Sequence, residues 1–346
     1  MIYRNLGSSG LRVSCIGIGT WITFANQIDD QVAEDILKIA YENGINYFDT
    51  SETYAGGRAE ILLGKLLNKL DWKRSTYVIS TKIHAGGKYE TEKGLSRKHI
   101  IEGVQNSLKR LQMDYVDIVF AKRYDKNLVT IEEIVRAFTF IINKGHAFYW
   151  GTTKWSPTEI MEAYSLARQF NLIPPITDQL EYNLMTREKF EISMQDMNHK
   201  IGLGLIIHSP LAGGILTGKY DDGIPTYSRA SLITQNKFKE KLLSDQGREM
   251  QSKMISQLIF LATTLQSTAA QLSIAWCLRN NECSCVLMGV TSVEQLIENL
   301  KAINLLSIFT PKDDGIELRE DMGEKLNIIF DNDPKIRIKS VNFDDS

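Results

Sequence analysis

The sequence predicts an α/β fold of the closed (β/α)8 barrel type, and three observations predict it. Eight apolar runs of strand length alternate with eight amphipathic stretches of helix length. No Gly-x-Gly-x-x-Gly follows the first run, so a doubly wound open sheet is the weaker reading; Gly17-Ile18-Gly19-Thr20 is only a strand end with small residues. Two of the runs end in ionisable residues, as barrel strands do when they deliver side chains to an active-site mouth.

The elements follow in order. Strand 13–20 ends in small residues, and helix 30–43 closes on Asn43-Gly44, a common helix stop. Strand 45–50 ends in Asp49-Thr50 and leads to helix 58–70. Strand 76–82 ends in Lys82, and Ser96 caps helix 97–111. Strand 115–122 ends in Lys122 before helix 130–144. Strand 147–153 is followed by Ser156-Pro157, an N-cap with proline at the first helical position, and helix 157–170. Strand 176–182, helix 187–200, strand 204–209, helix 248–265, strand 285–290 and helix 293–303 complete the repeat. One domain is expected over residues 1–346. Two segments do not fit the repeat: a polar insertion near 216–243, expected to be a lid, and a charged tail near 309–346, expected to be an extra helix with a frayed end.

Composition narrows the function. With 43% hydrophobic and 24% charged residues, the chain reads as globular and long enough to bury a large core. The formal net charge of −2 gives no global field that would draw nucleic acid or an anionic membrane. Met1-Ile2-Tyr3 leads straight into a strand, so no signal peptide is expected, and no apolar run reaches the roughly 18 residues of a membrane span. A cytoplasmic location is the expectation. Cys15, Cys277, Cys283 and Cys285 show no paired metal spacing and read as reduced core thiols. His84, His99, His146 and His199 lack ligand spacing, so no metal is expected.

The chemistry lies in Asn46-Tyr47-Phe48-Asp49-Thr50-Ser51-Glu52-Thr53-Tyr54 and Ile79-Ser80-Thr81-Lys82. A tyrosine hydroxyl ordinarily titrates near pH 10, too high for easy proton exchange at neutrality. An adjacent ammonium stabilises its phenolate, and an aspartate keeps that ammonium charged and in place. Asp49, Tyr54 and Lys82 therefore suit protonation of a carbonyl oxygen.

Longer stretches carry a resemblance. Tyr3-Arg4-Asn5-Leu6-Gly7, Leu95-Ser96-Arg97-Lys98-His99-Ile100-Ile101-Glu102-Gly103, Ala167-Arg168-Gln169-Phe170-Asn171-Leu172-Ile173-Pro174-Pro175-Ile176, Tyr227-Ser228-Arg229-Ala230-Ser231-Leu232 and Ile274-Ala275-Trp276-Cys277-Leu278-Arg279-Asn280 resemble the aldo-keto reductases. Within them the sequence resembles the β subunits of voltage-gated potassium channels.

The resemblance implies a (β/α)8 barrel binding NADP(H), with Asp49, Tyr54 and Lys82 catalytic. It implies Thr20, Trp21, Gln27 and Asp49 at the nicotinamide end, with Gln179 on the carboxamide. Ser209, Leu211 and Lys219 would meet the pyrophosphate, Tyr227 and Arg229 would sit on the lid, and Thr153, Lys154, His208, Pro210 and Ala212 would also line the cofactor site. Gly289, Thr291, Gln295, Glu298 and Asn299 would hold the adenosine and its phosphate.

Five positions depart from the family pattern. Lys122 stands at the fourth catalytic position, where the family has His or Asn, and it would either fill the substrate space or donate to the carbonyl. Thr153-Lys154 replaces Ser-Arg, His208 replaces a Trp beside the nicotinamide, and Gly213 replaces a Cys.

The implied function is a cytosolic homotetramer docked on the cytoplasmic tetramerisation domain of a voltage-gated potassium channel α subunit, peripheral to the plasma membrane, with slow carbonyl reduction. The alternative is a free NADPH-dependent aldehyde or ketone reductase. Without a long N-terminal extension, the chain is expected not to plug the channel pore.

Overall fold

The computed structural model describes residues 1–123, 129–221, 223–226, 228, 231, 245–309 and 322–334. The chain divides into two compact units. The first comprises Met1–Leu180, Met194–Ile207 and Glu282–Leu296, the second Glu181–Ser193, His208–Asn281 and Ile297–Ser346.

The first unit opens with an antiparallel hairpin, β1 (Tyr3–Asn5) and β2 (Arg12–Ser14). Eight strands then form a closed barrel: β3 (Ile16–Gly19), β4 (Tyr47–Asp49), β5 (Val78–Ile83), β6 (Val116–Lys122), β7 (Ala147–Thr153), β8 (Thr177–Glu181), β9 (Gly204–His208) and β10 (Cys283–Met288). The last strand, β10, pairs in parallel with both β3 and β9 and so closes the ring. The (β/α)8 expectation is therefore met.

Helices α1 (Asp30–Glu42), α2 (Arg58–Leu70), α3 (Arg97–Leu111), α4 (Ile131–Asn143) and α5 (Pro157–Gln169) join successive strands. Their starts follow local chemistry. Asp29, Ser96, Thr130 and Ser156 each accept a backbone N–H of the first turn, and Glu159 returns the bond to Ser156. Helix α1 buries Ala33, Ile36, Leu37 and Ala40, one stripe at helical spacing.

The barrel interior is packed. Tyr47, Val78, Ile118, Phe120, Ile206, Cys285 and Leu287 form one buried cluster with Leu6 and Val13 of the hairpin region. At Gly17 a Cβ would come within 2.8 Å of the Tyr47 ring, so glycine there makes room for the tyrosine.

Three elements differ from expectation. The first strand breaks at Cys15, whose N–H donates to Ile2 O at 2.9 Å. Residues before the break pair within the hairpin and residues after it pair within the barrel. Segment 187–200 resolves into a wide turn, Lys189–Met194, and α6 (Gln195–Ile201). The expected helix at 293–303 ends sooner, as α9 (Val293–Leu300), and tightens into a 3₁₀ segment, Lys301–Ile308.

The second unit holds α7 (Asp245–Thr264), α8 (Ala269–Leu278) and α10 (Met322–Phe330). Helix α8 was not anticipated. All ten of its residues are buried, so it has no polar face to give a period. The guanidinium groups of Arg279 and Arg187 lie 4.0 and 5.2 Å from its Trp276 ring. The extra helix expected in the tail is α10. Most of the lid segment 216–243 and of the tail 309–346 lies outside the described residues. Among the described residues no single helix is long and apolar enough to cross a membrane.

Candidate active site

The site is built on the inward faces of β4, β5, β6 and β8. Alternation along β5 sends Ser80 and Lys82 to the interior, while Thr81 turns outward to donate to Glu60 on α2. Along β4 the same rule turns Tyr47 and Asp49 inward. The Lys82 ammonium donates to Asp49 Oδ2, and also to Thr50 O at 2.8 Å. Asp49 Oδ1 accepts from Ser80 Oγ at 2.6 Å and from Gln179 Nε2 at 3.0 Å. Side chains of two strands, β5 and β8, thus hold one carboxylate of β4, and that carboxylate holds Lys82.

Lys82 is only 2% exposed. Burial pushes its pKa down, Asp49 opposes that shift, and the nearby Lys122 ammonium adds to it. The Tyr54 ring lies 5.1 Å from Lys82 Nζ and 6.4 Å from the Trp21 ring. Its position follows from the turn Tyr54–Gly57. Ala55, Gly56 and Gly57 all take left-handed φ angles of 50, 65 and 86°, which swing the chain into α2 and leave Tyr54 at the mouth. Tyr47 is the other inward tyrosine. Burial first, and then the Asp49 charge, push its pKa well above the ordinary value, and its hydroxyl donates to Ser80 Oγ at 2.8 Å. Tyr47 therefore supports the floor and keeps its proton.

Lys122 ends β6, paired in register with Thr153. It shares the inward face with Phe120, whose ring lies 5.9 Å from Lys82 Nζ. The next residue, Arg123, has its guanidinium 5.3 Å from the Trp155 ring and its Nε 3.4 Å from Glu159.

The remaining named residues of the first unit have the following surroundings. Thr20 Oγ1 donates to Asp49 O at 3.1 Å, and Trp21 is 46% exposed. Gln27 is half-buried and ends a wide turn, Thr23–Gln27. Thr153 Oγ1 donates to Gln179 O at 2.7 Å, and Lys154 is exposed with φ 64°. Thr291 donates through both N and Oγ1 to Gln295 Oε1 at 3.0 Å, so these two side chains are engaged with each other.

In the second unit, His208 Nδ1 lies 3.2 Å from Ser209 Oγ. Ser209 and Ala212 take positive φ on either side of Pro210 and Leu211. Lys219 is exposed, with its ammonium 5.2 Å from the Tyr220 ring. Glu298 Oε1 accepts from Thr268 Oγ1 at 2.8 Å, and Asn299 is buried. Tyr227 and Arg229 lie outside the described residues.

Two contributors escaped the sequence reading. Ser80 looked like an ordinary strand serine, yet it bridges Tyr47 and Asp49. Buried Glu52 accepts the backbone N–H of His84 and faces His99 Nε2 at 3.2 Å, tying the Tyr54 loop to the end of β5 and to α3. Its signal was an acid set inside the polar run between Asp49 and Tyr54. Among the described residues no cluster of metal-ligand type is present.

A flat cofactor fits the mouth of the barrel. At Gly19 and Gly289 an added Cβ would meet nothing closer than 3.8 and 3.9 Å, and neither has positive φ. Among the described residues nothing demands glycine at these two neighbouring strand ends. A ligand lying directly on the backbone would.

A sequence model of the aldo/keto reductase family matches residues 15–312. The chain belongs to the aldo/keto reductase family. Its barrel is the fold on which that family carries NAD(P)H-dependent reduction.

Proposed function

We propose that this aldo/keto reductase is a cytosolic β subunit of a voltage-gated potassium channel, binding NADP(H) and reducing carbonyls slowly. The observation that carries the catalytic part is Lys82, held by Asp49 and set 5.1 Å from the Tyr54 ring. When bound, NADPH supplies hydride to the carbonyl carbon. The Tyr54 hydroxyl gives its proton to the carbonyl oxygen, and the Lys82 ammonium stabilises the phenolate that remains. Asp49 fixes Lys82, while Ser80 and Gln179 fix Asp49. Gln179 would hold the carboxamide end, Thr20 and Trp21 the ring, and Lys219 the phosphates, with Thr291, Gln295, Glu298 and Asn299 toward the adenosine.

The channel reading is supported by the long segments similar to channel β subunits, including residues 95–103 and 274–280. The partner would be the cytoplasmic tetramerisation domain of the α subunit, and the chain would assemble as a tetramer. Coupling would follow if reduced and oxidised cofactor states bound the channel unequally. The purified chain mixed with such a domain, followed by size exclusion with light scattering, tests this reading. Co-elution as a tetrameric complex that retains NADP(H) is the expected result. Multiple turnover of small aldehydes without channel binding would favour the free reductase instead.

A further inference from the structure

We propose that helix α3 positions Tyr54 for proton transfer by holding its loop at both ends, through His99 and Glu52 ahead of the tyrosine and through Arg110 beneath Gly57 behind it. The inference rests on the reductase reading of the site and names positioning residues for its proton transfer. These side chains act through the loop and not on the reacting atoms.

The leading end of the loop is keyed to Lys82. The Glu52 N–H and the Ser51 hydroxyl both donate to Lys82 O, each at 3.3 Å, and the Tyr54 N–H donates to Ser51 O at 3.0 Å. The backbone that carries the ammonium thus also carries the start of the Tyr54 turn. The hold on this end comes from α3. Glu52 and His99 are 2% and 4% exposed. One Glu52 oxygen, Oε1, takes the backbone N–H of His84 and faces His99 Nε2 at 3.2 Å. Two glycines make room for the other oxygen. A Cβ on Gly86 would come within 2.7 Å of Oε2, and one on Gly103, a turn along α3 from His99, within 3.2 Å. A buried carboxylate keeps its place only while its donors keep theirs, so His99 fixes Glu52 and Glu52 fixes the loop.

The trailing end rests on the same helix. Gly57 closes the turn at φ 86°, and a Cβ there would come within 2.9 Å of Arg110 Cδ. Arg110 is itself fixed: Nε donates to Glu60 Oε2 at 2.6 Å and Nη2 to Ser107 Oγ at 3.1 Å. Glu60 in turn accepts from Thr81, beside Lys82 on β5. His99 and Arg110 stand about three turns apart, which places them on one side of α3. Tyr54 lies between the two holds, with its ring 5.1 Å from Lys82 Nζ. A misplacement of about 1 Å in a reacting group can cost roughly 10²-fold in rate, so a loop held at both ends serves the chemistry as well as the packing.

The test follows single-turnover oxidation of NADPH by a reactive aromatic aldehyde, in H₂O and in D₂O, with NADP⁺ affinity measured calorimetrically. His99→Leu and Glu52→Ala should each slow the turnover by about 10–100-fold while NADP⁺ affinity stays within about twofold of wild type. The solvent isotope effect should rise in both, because proton transfer from a displaced Tyr54 becomes the slow step. His99→Gln, which keeps a donor toward Glu52, should recover most of the rate. Arg110→Met made together with Glu60→Met, so that no charge is left buried alone, should show a loss of the same kind. Rates within about twofold of wild type in His99→Leu and Glu52→Ala would overturn the inference and leave the reductase standing. So would slowing with an unchanged solvent isotope effect, slowing matched by an equal loss of NADP⁺ affinity, or no recovery in His99→Gln. Absence of NADPH oxidation by wild type would instead remove the reductase reading, and the inference with it.

Discussion

The two ends of the barrel bury ionisable groups equally well and do opposite things with them. Near the starts of β3 and β10, Cys15, Cys283 and Cys285 are fully buried, as Lys82 nearly is near the end of β5. Burial pushes the Cys283 thiol up to about 12 and the Cys285 thiol well above its ordinary value, and the nearby Arg4 only partly offsets this. Those thiols stay protonated and unreactive. At the other end burial lowers the Lys82 pKa, but Asp49 meets the ammonium directly and opposes the shift. Burial alone silences a titratable group. Burial with a fixed partner charge yields a group whose charge can act on a neighbour, here Tyr54.

Removing the acting charge tests this contrast most severely. Lys82→Met is expected to lower the single-turnover rate with an aldehyde by about 10²–10⁴-fold, the usual range for assisted proton transfer. Stopped-flow NADPH absorbance reads the effect. A rate within a few-fold of wild type would break the comparison at the mouth. Next is the partnership itself. Asp49→Leu leaves an uncompensated buried ammonium and should cost about 3–5 kcal/mol in urea unfolding. The double variant Asp49→Leu with Lys82→Met should recover most of that loss. If the double variant is as unstable as the single one, Asp49 acts through packing and not through charge.

The thiol end is sharpened by labelling. At pH 8 the folded chain should react with a maleimide at the buried cysteines at least about a hundredfold more slowly than the urea-unfolded chain, because reaction requires an opening. Rapid native labelling at Cys283 would contradict its sealed environment. The smallest effect is a pH slope. The Lys82 pKa is lowered in the folded chain, so the unfolded chain holds that proton more tightly. As pH rises toward the ordinary lysine value of about 10.4, this group alone should favour folding, by at most about 1.4 kcal/mol per pH unit. Urea midpoints of wild type and Lys82→Met across alkaline pH should differ with that sign.

Much of this was legible in the chain. The barrel was, because its strands alternate with helices whose apolar stripes repeat at helical spacing, as in α1. Asp49 and Lys82 were, because an ionisable residue at the end of an apolar strand stands out. Helix α8 was not, since ten buried residues carry no period. The break at Cys15 was not, because a strand that changes partner keeps the same apolar pattern. Ser80 is chemically ordinary until Asp49 and Tyr47 meet it. The Glu52–His99 pair spans 47 residues of sequence, and only the fold brings it together. The mutual bond of Thr291 and Gln295 was hidden too, since spacing alone does not say that two polar side chains choose each other over a ligand.

The most direct measurement follows NADPH absorbance in a single turnover with a reactive aromatic aldehyde, comparing wild type with Tyr54→Phe. The account predicts oxidation by wild type and its near-complete loss in Tyr54→Phe, with NADP(H) affinity retained. Oxidation at the same rate in Tyr54→Phe would contradict the assignment of Tyr54 as the proton donor that Lys82 and Asp49 serve.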